Sequence, residues 1–497
     1  RDRYTITSTL PPVHGGRTKA LLKRIKFLDE EMNIVNKIYT TNYNANYNEV
    51  YEKFLRDEVV TKNTEFENLY DWLSGFKLLS IPMTKFKKKP IYKETNKEIE
   101  GLQKKEFNDG NVIRYYDGET YVLYRKYYEG TNMLQFEDVM TPASKKRIER
   151  REYNTYGQLH RKVYFSSKTF FKILEEYYDT EGHIYCKKFF DSSVDKRIDF
   201  IQIFKDDKFL YAFKTEKELF EYYFEHRFND GDVVFNDARV LDKPMLNQSH
   251  KTKNVLVFHN SHLDGDKVKG SYKTALENSN KVAQYLLLTQ KQKDDIQSLF
   301  NIDDSKISVI PHFIEPYPEN GSVEKLDRFV FIGRLGTQKQ VDHLIKAYQQ
   351  FLTFGHETNL TVFGPDEANQ KQLMLDLIEE YGLQDKVKIY DYTNNPLDEF
   401  RKSRASLLTS KYEGFGLTVM ESIEVGCPVI SYDVRYGPSE IIEHGVNGYL
   451  VEPDNIQQFA EYMDKIVKTP LQNVATKAEL KQENAADNFQ KLFDKVK

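Results

Sequence analysis

Hydrophobic and polar positions change their period along this chain, and the changes divide it. From about residue 316 onward, short apolar runs at 329–332, 360–363, 387–390, 405–408 and 429–432 alternate with longer segments whose apolar residues recur every three or four positions, as at 341–351 and 371–381. Strands each followed by a helix predict a parallel sheet covered on both faces, here a doubly wound domain over 316–472. The same grammar opens the chain, with a strand at 4–9, a Gly-containing loop, a helix at 18–31 and a strand at 34–40. It resumes at 233–236, 255–259, 285–289 and 307–310. A first Rossmann-like domain is therefore expected in two pieces, 1–79 and 206–315, around an insertion at 80–205.

The insertion has another texture. Tyr115-Tyr116-Asp117-Gly118, Tyr153-Asn154-Thr155-Tyr156-Gly157 and Tyr178-Asp179-Thr180-Glu181-Gly182 are each followed by mixed aromatic and basic residues, the last two about 25 residues apart. Asp or Asn with Gly supplies turn chemistry and the flanking aromatics favour strands, so 80–205 reads as an antiparallel β-meander. The segment 473–497 is rich in Lys, Glu, Gln and Ala and ends on Phe489-Gln490-Lys491-Leu492-Phe493, the pattern of an amphipathic helix.

Composition narrows the functional classes. The 497 residues carry 72 Lys plus Arg against 76 Asp plus Glu, a balance that argues against a dedicated nucleic-acid binder. No run approaches the ~18 apolar residues of a membrane span, so at most peripheral membrane association is expected. Two cysteines, Cys186 and Cys427, exclude a disulfide scaffold or a Cys-rich zinc site and suit a reducing, cytoplasmic setting. The 34 Tyr and 33 Phe, concentrated before residue 230, set the two halves apart.

Doubly wound sheets bind ligands beyond the carboxyl ends of their strands, and four loops there carry candidate chemistry. His14-Gly15-Gly16-Arg17-Thr18 precedes a helix whose first N–H groups would meet phosphate or sugar; a plain tight turn uses the same residues. Gly333-Arg334-Leu335-Gly336-Thr337-Gln338-Lys339 places two cations five positions apart, suited to a pyrophosphate and equally compatible with two solvated charges. Glu413-Gly414-Phe415-Gly416-Leu417-Thr418-Val419-Met420-Glu421 sets two carboxylates around a Gly-x-Gly loop at a helix start. Amides there would take phosphate and sugar oxygens, and a carboxylate the ribose hydroxyls. His259-Asn260-Ser261-His262-Leu263-Asp264-Gly265-Asp266 offers a histidine for a sugar hydroxyl. Its alternative is a metal site on His259, His262 and Asp264, for which the sequence identifies no fourth ligand.

Taken together, Gly16, His259, Arg334 with Lys339, and Glu413 with Glu421 resemble the pattern of retaining family 4 glycosyltransferases of the two-Rossmann GT-B architecture, over about 1–75 and 210–470. The aromatic insertion is similar to that of the poly(glycerol-phosphate) and poly(ribitol-phosphate) α-glycosyltransferases that decorate wall teichoic acid. A related branch glycosylates Ser-rich repeat adhesins. The resemblance implies that Arg334 and Lys339 hold a UDP diphosphate and that Glu421 binds the ribose. It sets Glu413 beside the donor sugar, with the amides of Phe415, Gly416 and Leu417 on sugar and phosphate oxygens. Gly16 would admit the diphosphate, Arg17 would add a phosphate contact or face solvent, and His259 would touch the donor sugar near the reacting carbon. It further implies front-face transfer of glucose or N-acetylglucosamine without a metal, no cofactor beyond the UDP-sugar, and a trimer assembled through the meander. A teichoic acid acceptor is polyanionic, and Lys87, Lys88 and Lys89 with Lys145, Lys146 and Arg147 supply cations in or beside the insertion; a solvated face would carry the same charges. A non-catalytic, glycosyltransferase-like chaperone subunit is the remaining alternative, and it would be expected to lack part of the donor motif.

Overall fold

The computed structural model describes residues 3–13, 15–78, 92–318 and 323–497. The chain divides into two compact units, Arg1–Thr252 and Lys253–Lys497, so the expected piece 206–315 is shared between them.

In the first unit, strand Arg3–Thr7 pairs in parallel with Lys37–Thr40 on one side and Val233–Asn236 on the other, and Lys37–Thr40 pairs with Glu65–Asn68. The helix Gly16–Met32 follows the first strand and buries Leu21, Leu22, Ile25 and Leu28. Arg24 on this helix is also buried, and its guanidinium takes both carboxylate oxygens of Asp237 at 2.8 and 2.6 Å. A buried charge is tolerable only while its partner remains. Asp237→Ala is therefore expected to lower unfolding free energy by about 3–5 kcal/mol in chemical denaturation; a loss below about 1 kcal/mol would contradict that reading.

The insertion is a ten-stranded antiparallel sheet in simple sequential order, from Gln103–Phe107 to Lys208–Phe213. Gly118, Gly157 and Gly182 all take positive φ at its turns, as the Asp/Asn–Gly signals require. The meander runs past the expected boundary at 205. Asp206 and Asp207 both adopt left-handed backbone, closing a two-residue hairpin that brings back Lys208–Phe213 as a tenth strand. Charges on neighbouring strands pair off: Arg125 Nε with Glu137 Oε2 at 2.9 Å, Arg150 Nε with Asp138 Oδ1 at 2.7 Å, and Arg161 with Glu152. Cys186 is buried in this unit and its thiol is pushed up to about 12 by desolvation; Cys427, in the other unit, is buried and likewise raised.

The second unit holds two parallel sheets' worth of strands. Lys253–Val257, Gln284–Leu287 and Ile307–Val309 pair in that order. A six-stranded parallel sheet runs Val387–Tyr390, Asn359–Phe363, Arg328–Ile332, Ala405–Leu408, Val429–Tyr432, Gly448–Val451. The chain builds outward from Arg328–Ile332 in one direction, then returns beside it with Ala405–Leu408 and builds outward in the other. The strand order thus reverses between those two neighbours, which is where such sheets bind ligands. Helix Val341–Leu352 packs Leu344, Ile345 and Tyr348 against Phe329, Phe331 and Val362 in the core. The terminal helix Gln482–Lys495 buries Phe489, Leu492 and Phe493, and Lys495 Nζ donates to the Ile307 carbonyl at 3.2 Å. Among the described residues no helix is long and apolar enough to cross a membrane.

Candidate functional site

The loops after the two central strands of the six-stranded sheet meet. After Arg328–Ile332, residues Thr337–Lys339 form one 3₁₀ turn, and Gln340, in left-handed backbone, hands the chain to helix Val341–Leu352. After Ala405–Leu408, Thr409 is fully buried, and its hydroxyl donates to the carbonyls of Lys339 and Gln340, both at 3.0 Å. Lys411 N–H donates to the Gln338 carbonyl at 2.8 Å. With the turn zipped to the neighbouring loop in this way, Lys339 Nζ donates to Glu413 Oε1 at 2.7 Å. Ser410 Oγ donates to the same oxygen at 2.7 Å. Both charged side chains are largely buried, with 16% and 9% of their surface exposed, so the pair is a desolvated ion pair rather than a surface contact.

Beyond Glu413 the chain turns into helix Leu417–Glu424. Gly416 precedes it at φ +97 and supplies no side-chain cap, so the helix start presents backbone N–H groups with its dipole. Phe415 is buried in the turn, and Glu421 stands in the body of this helix, as the eight-residue spacing requires. Arg334, by contrast, is exposed and makes no ion pair among the described residues.

The carboxyl ends of the three-stranded set line up against this loop. His259 follows Lys253–Val257, and its carbonyl lies where a side chain on Gly414 would stand; only glycine permits the approach. The His312 ring meets Phe415 edge-on at 5.0 Å and lies 6.3 Å from His259. His262 is fully buried, nearly parallel to the Tyr436 ring at 6.1 Å, and its Nδ1 lies 3.3 Å from Gln292 Nε2. Burial pushes the His262 imidazole down to about 4, which keeps it neutral at ordinary pH. Asp295 receives Arg435 Nε at 2.8 Å and the Tyr436 hydroxyl at 2.6 Å. Burial, the largest influence, raises its carboxyl, but these two hydrogen bonds together with the charges of Arg435 and Lys291 hold it below the usual carboxylate range. Gly437, at φ +109, abuts the Phe415 carbonyl, fixing the loop after Val429–Tyr432 against the Gly-x-Gly turn.

The remaining expected residues belong to other elements of the chain. Gly16, at φ +29, begins helix Gly16–Met32 in the first unit, and Arg17 Nη2 reaches Ser8 Oγ at 3.5 Å. Lys145 occupies the turn before strand Arg147–Tyr153. Lys146 and Arg147 lie over the rings of Phe170 and Phe165, at 4.7 and 4.4 Å from the centroids. Arg150 and Arg151, their neighbours in the basic run, are taken up by Asp138 and by Glu137 with Glu149. Lys87, Lys88 and Lys89 fall outside the described residues. In Asp264-Gly265-Asp266, Asp264 ends strand Leu263–Asp264 and Gly265-Asp266 turn the chain into Lys267–Val268, a small hairpin. Among the described residues no group of three His, Cys, Asp or Glu is placed to hold a metal ion. Sequence reasoning missed Ser410, Asp295, Gln292 and His312; His312 follows its strand as His259 does, which was a usable signal.

Known proteins resemble this chain over much of its length. Residues 314–487 match the family model described as glycosyl transferases group 1. A poly(glycerol-phosphate) alpha-glucosyltransferase of Bacillus subtilis (strain 168) is 28% identical over 94% of this chain and 70% of its own length. A poly(ribitol-phosphate) alpha-N-acetylglucosaminyltransferase of Staphylococcus aureus (strain COL) is 26% identical over 91% of this chain and 90% of its own. A crystal structure of a mutant S. aureus TarM, in complex with fondaparinux, alpha-GlcNAc-glycerol and UDP, superposes with a TM-score of 0.81 at 21% identity, covering 99% of each chain. Residues 314–487 are a glycosyltransferase group 1 domain, and the chain has the GT-B fold.

Proposed function

We propose that the protein moves a hexose, glucose or N-acetylglucosamine, from its UDP donor onto hydroxyls of a polyol-phosphate polymer with retention of the α configuration. Poly(glycerol phosphate) of wall teichoic acid is the favoured acceptor. The observation that carries the reading is the buried Lys339–Glu413 pair beside an uncapped helix start, at the point where the strand order reverses. The relatives' acceptors support the polymer.

In this reading Lys339 and Arg334 meet the diphosphate, the helix start adds N–H donors, and Glu421 takes the ribose hydroxyls. Glu413 and the Phe415–Leu417 amides hold the sugar, and His259 contacts a sugar hydroxyl near the reacting carbon. The acceptor hydroxyl attacks the sugar carbon on the face from which UDP departs, and the leaving phosphate oxygen takes its proton. Negative charge grows on the diphosphate, where the cations and the helix dipole stabilise it without a metal. The protein works in the cytoplasm, at most peripherally on the membrane, and assembles as a trimer through its meander.

With Arg150 and Arg151 already paired, Lys145, Lys146 and Arg147 are the cations of that run left to attract a polyanion. Transfer to poly(glycerol phosphate) is accordingly expected to fall steeply as salt rises from 50 to 500 mM, while activity in excess EDTA stays at its full value. A salt-insensitive rate, or equal turnover on a Ser-rich peptide, would favour the polypeptide acceptor; loss of activity in EDTA would overturn the metal-free chemistry.

A further inference from the structure

Asp295 ties the donor loop to the other half of the second unit. It lies on helix Gln290–Leu299, which follows strand Gln284–Leu287, whereas Arg435 and Tyr436 follow Val429–Tyr432 in the six-stranded sheet. One oxygen, Asp295 Oδ2, accepts both Arg435 Nε at 2.8 Å and the Tyr436 hydroxyl at 2.6 Å. Those same two residues grip Glu413 through the backbone: Glu413 N–H donates to the Arg435 carbonyl at 2.8 Å, and Tyr436 N–H donates to the Glu413 carbonyl at 2.7 Å. A second carboxylate repeats the link in the opposite sense, since Glu440 accepts the Gln290 and Lys291 N–H groups at 2.8 and 3.4 Å. Helix Gln290–Leu299 is thus joined at two places to the segment that frames Glu413.

The character of the Asp295 contacts separates placement from stability. The Arg435 side chain is 54% exposed, and an ion pair in that setting contributes little to folding. Tyr436 is buried, with its ring beside His262 and its hydroxyl delivered to Asp295, so the carboxylate decides where that side chain, and the backbone behind it, comes to rest.

We propose that Asp295 is a positioning residue of the donor site: through Arg435 and Tyr436 it holds the Glu413 backbone in the register that presents the carboxylate to Lys339. The inference rests on the reading of Lys339 and Glu413 as donor-binding. It does not require Asp295 to touch the substrate.

The test is steady-state kinetics with the UDP-sugar varied, on the full chain carrying Asp295→Ala, Arg435→Ala/Tyr436→Phe, or all three substitutions. Asp295→Ala is expected to raise the donor KM about tenfold, with the melting temperature within a few degrees of the parent. The double variant should show the same rise, and the triple variant no more than either. Asp295→Glu should recover part of the loss, because it restores charge at a longer reach. A donor KM within twofold of the parent in Asp295→Ala, or a triple variant whose loss is the product of the other two, would overturn the proposal. Should Asp295→Ala fail to fold, the double variant decides alone: a parental donor KM there refutes the role. Lys339→Ala is measured alongside. If it loses activity while Asp295→Ala does not, only the positioning role fails; if neither does, the donor site itself is misassigned.

Discussion

Lys339→Ala lowers sugar transfer by about 10²-fold or more, the change expected when one preorganised charge at a developing anion is removed. Two losses add here. In the proposed site the leaving diphosphate loses a cation, and Glu413 loses the ammonium that lies 2.7 Å from its carboxylate. Ser410 then remains as its hydrogen-bond donor, and a largely buried negative charge faces an incoming diphosphate. Both effects act on the same oxygens, so the variant should suffer in kcat as well as in donor KM, measured with purified enzyme and a UDP-sugar. Arg334→Ala is expected to move in the same direction. Near-parental activity in both variants would remove the basis of the site assignment.

Gly414→Ala is the second large effect, and it arises from shape rather than charge. A methyl group there would overlap the His259 carbonyl, so either the Glu413 loop or the loop after Lys253–Val257 must move. Displacement of about 1 Å is enough to cost about 10² in rate when reacting groups are held in a fixed geometry. Transfer is expected to drop at least that far, while the melting temperature changes by only a few degrees, because the clash lies in loops and not in the core. Parental activity in Gly414→Ala would mean that the two loops do not approach each other in the working enzyme.

The sequence made the strands of the six-stranded sheet legible because they are short, apolar and regularly followed by helical periods. Arg328–Ile332 and Ala405–Leu408 coincide with expected runs to within a residue. Weakly apolar edges were harder to read. Glu65–Asn68 buries its last two residues, one of them polar with the other acidic, and Lys208–Phe213 is exposed over most of its length. The types of the candidate-site residues were legible too, since glycine, lysine and glutamate at strand ends are the residues that phosphate and sugar chemistry would use. Their meeting was not. Lys339 and Glu413 are 74 residues apart, and they touch because two strands built far apart in sequence lie side by side in the sheet. Asp295 was hidden for another reason: Gln290-Lys291-Gln292-Lys293-Asp294-Asp295 reads as a solvated helix face, and only the tertiary fold turns one of its carboxylates toward Arg435 and Tyr436.

A crystal structure of the protein with UDP is the most direct measurement of the site. The diphosphate should lie within hydrogen-bond distance of Lys339 and Arg334 at the start of helix Leu417–Glu424, with the ribose hydroxyls on Glu421. A nucleotide bound anywhere else, or bound there with Lys339 and Glu413 turned away from it, would contradict the account.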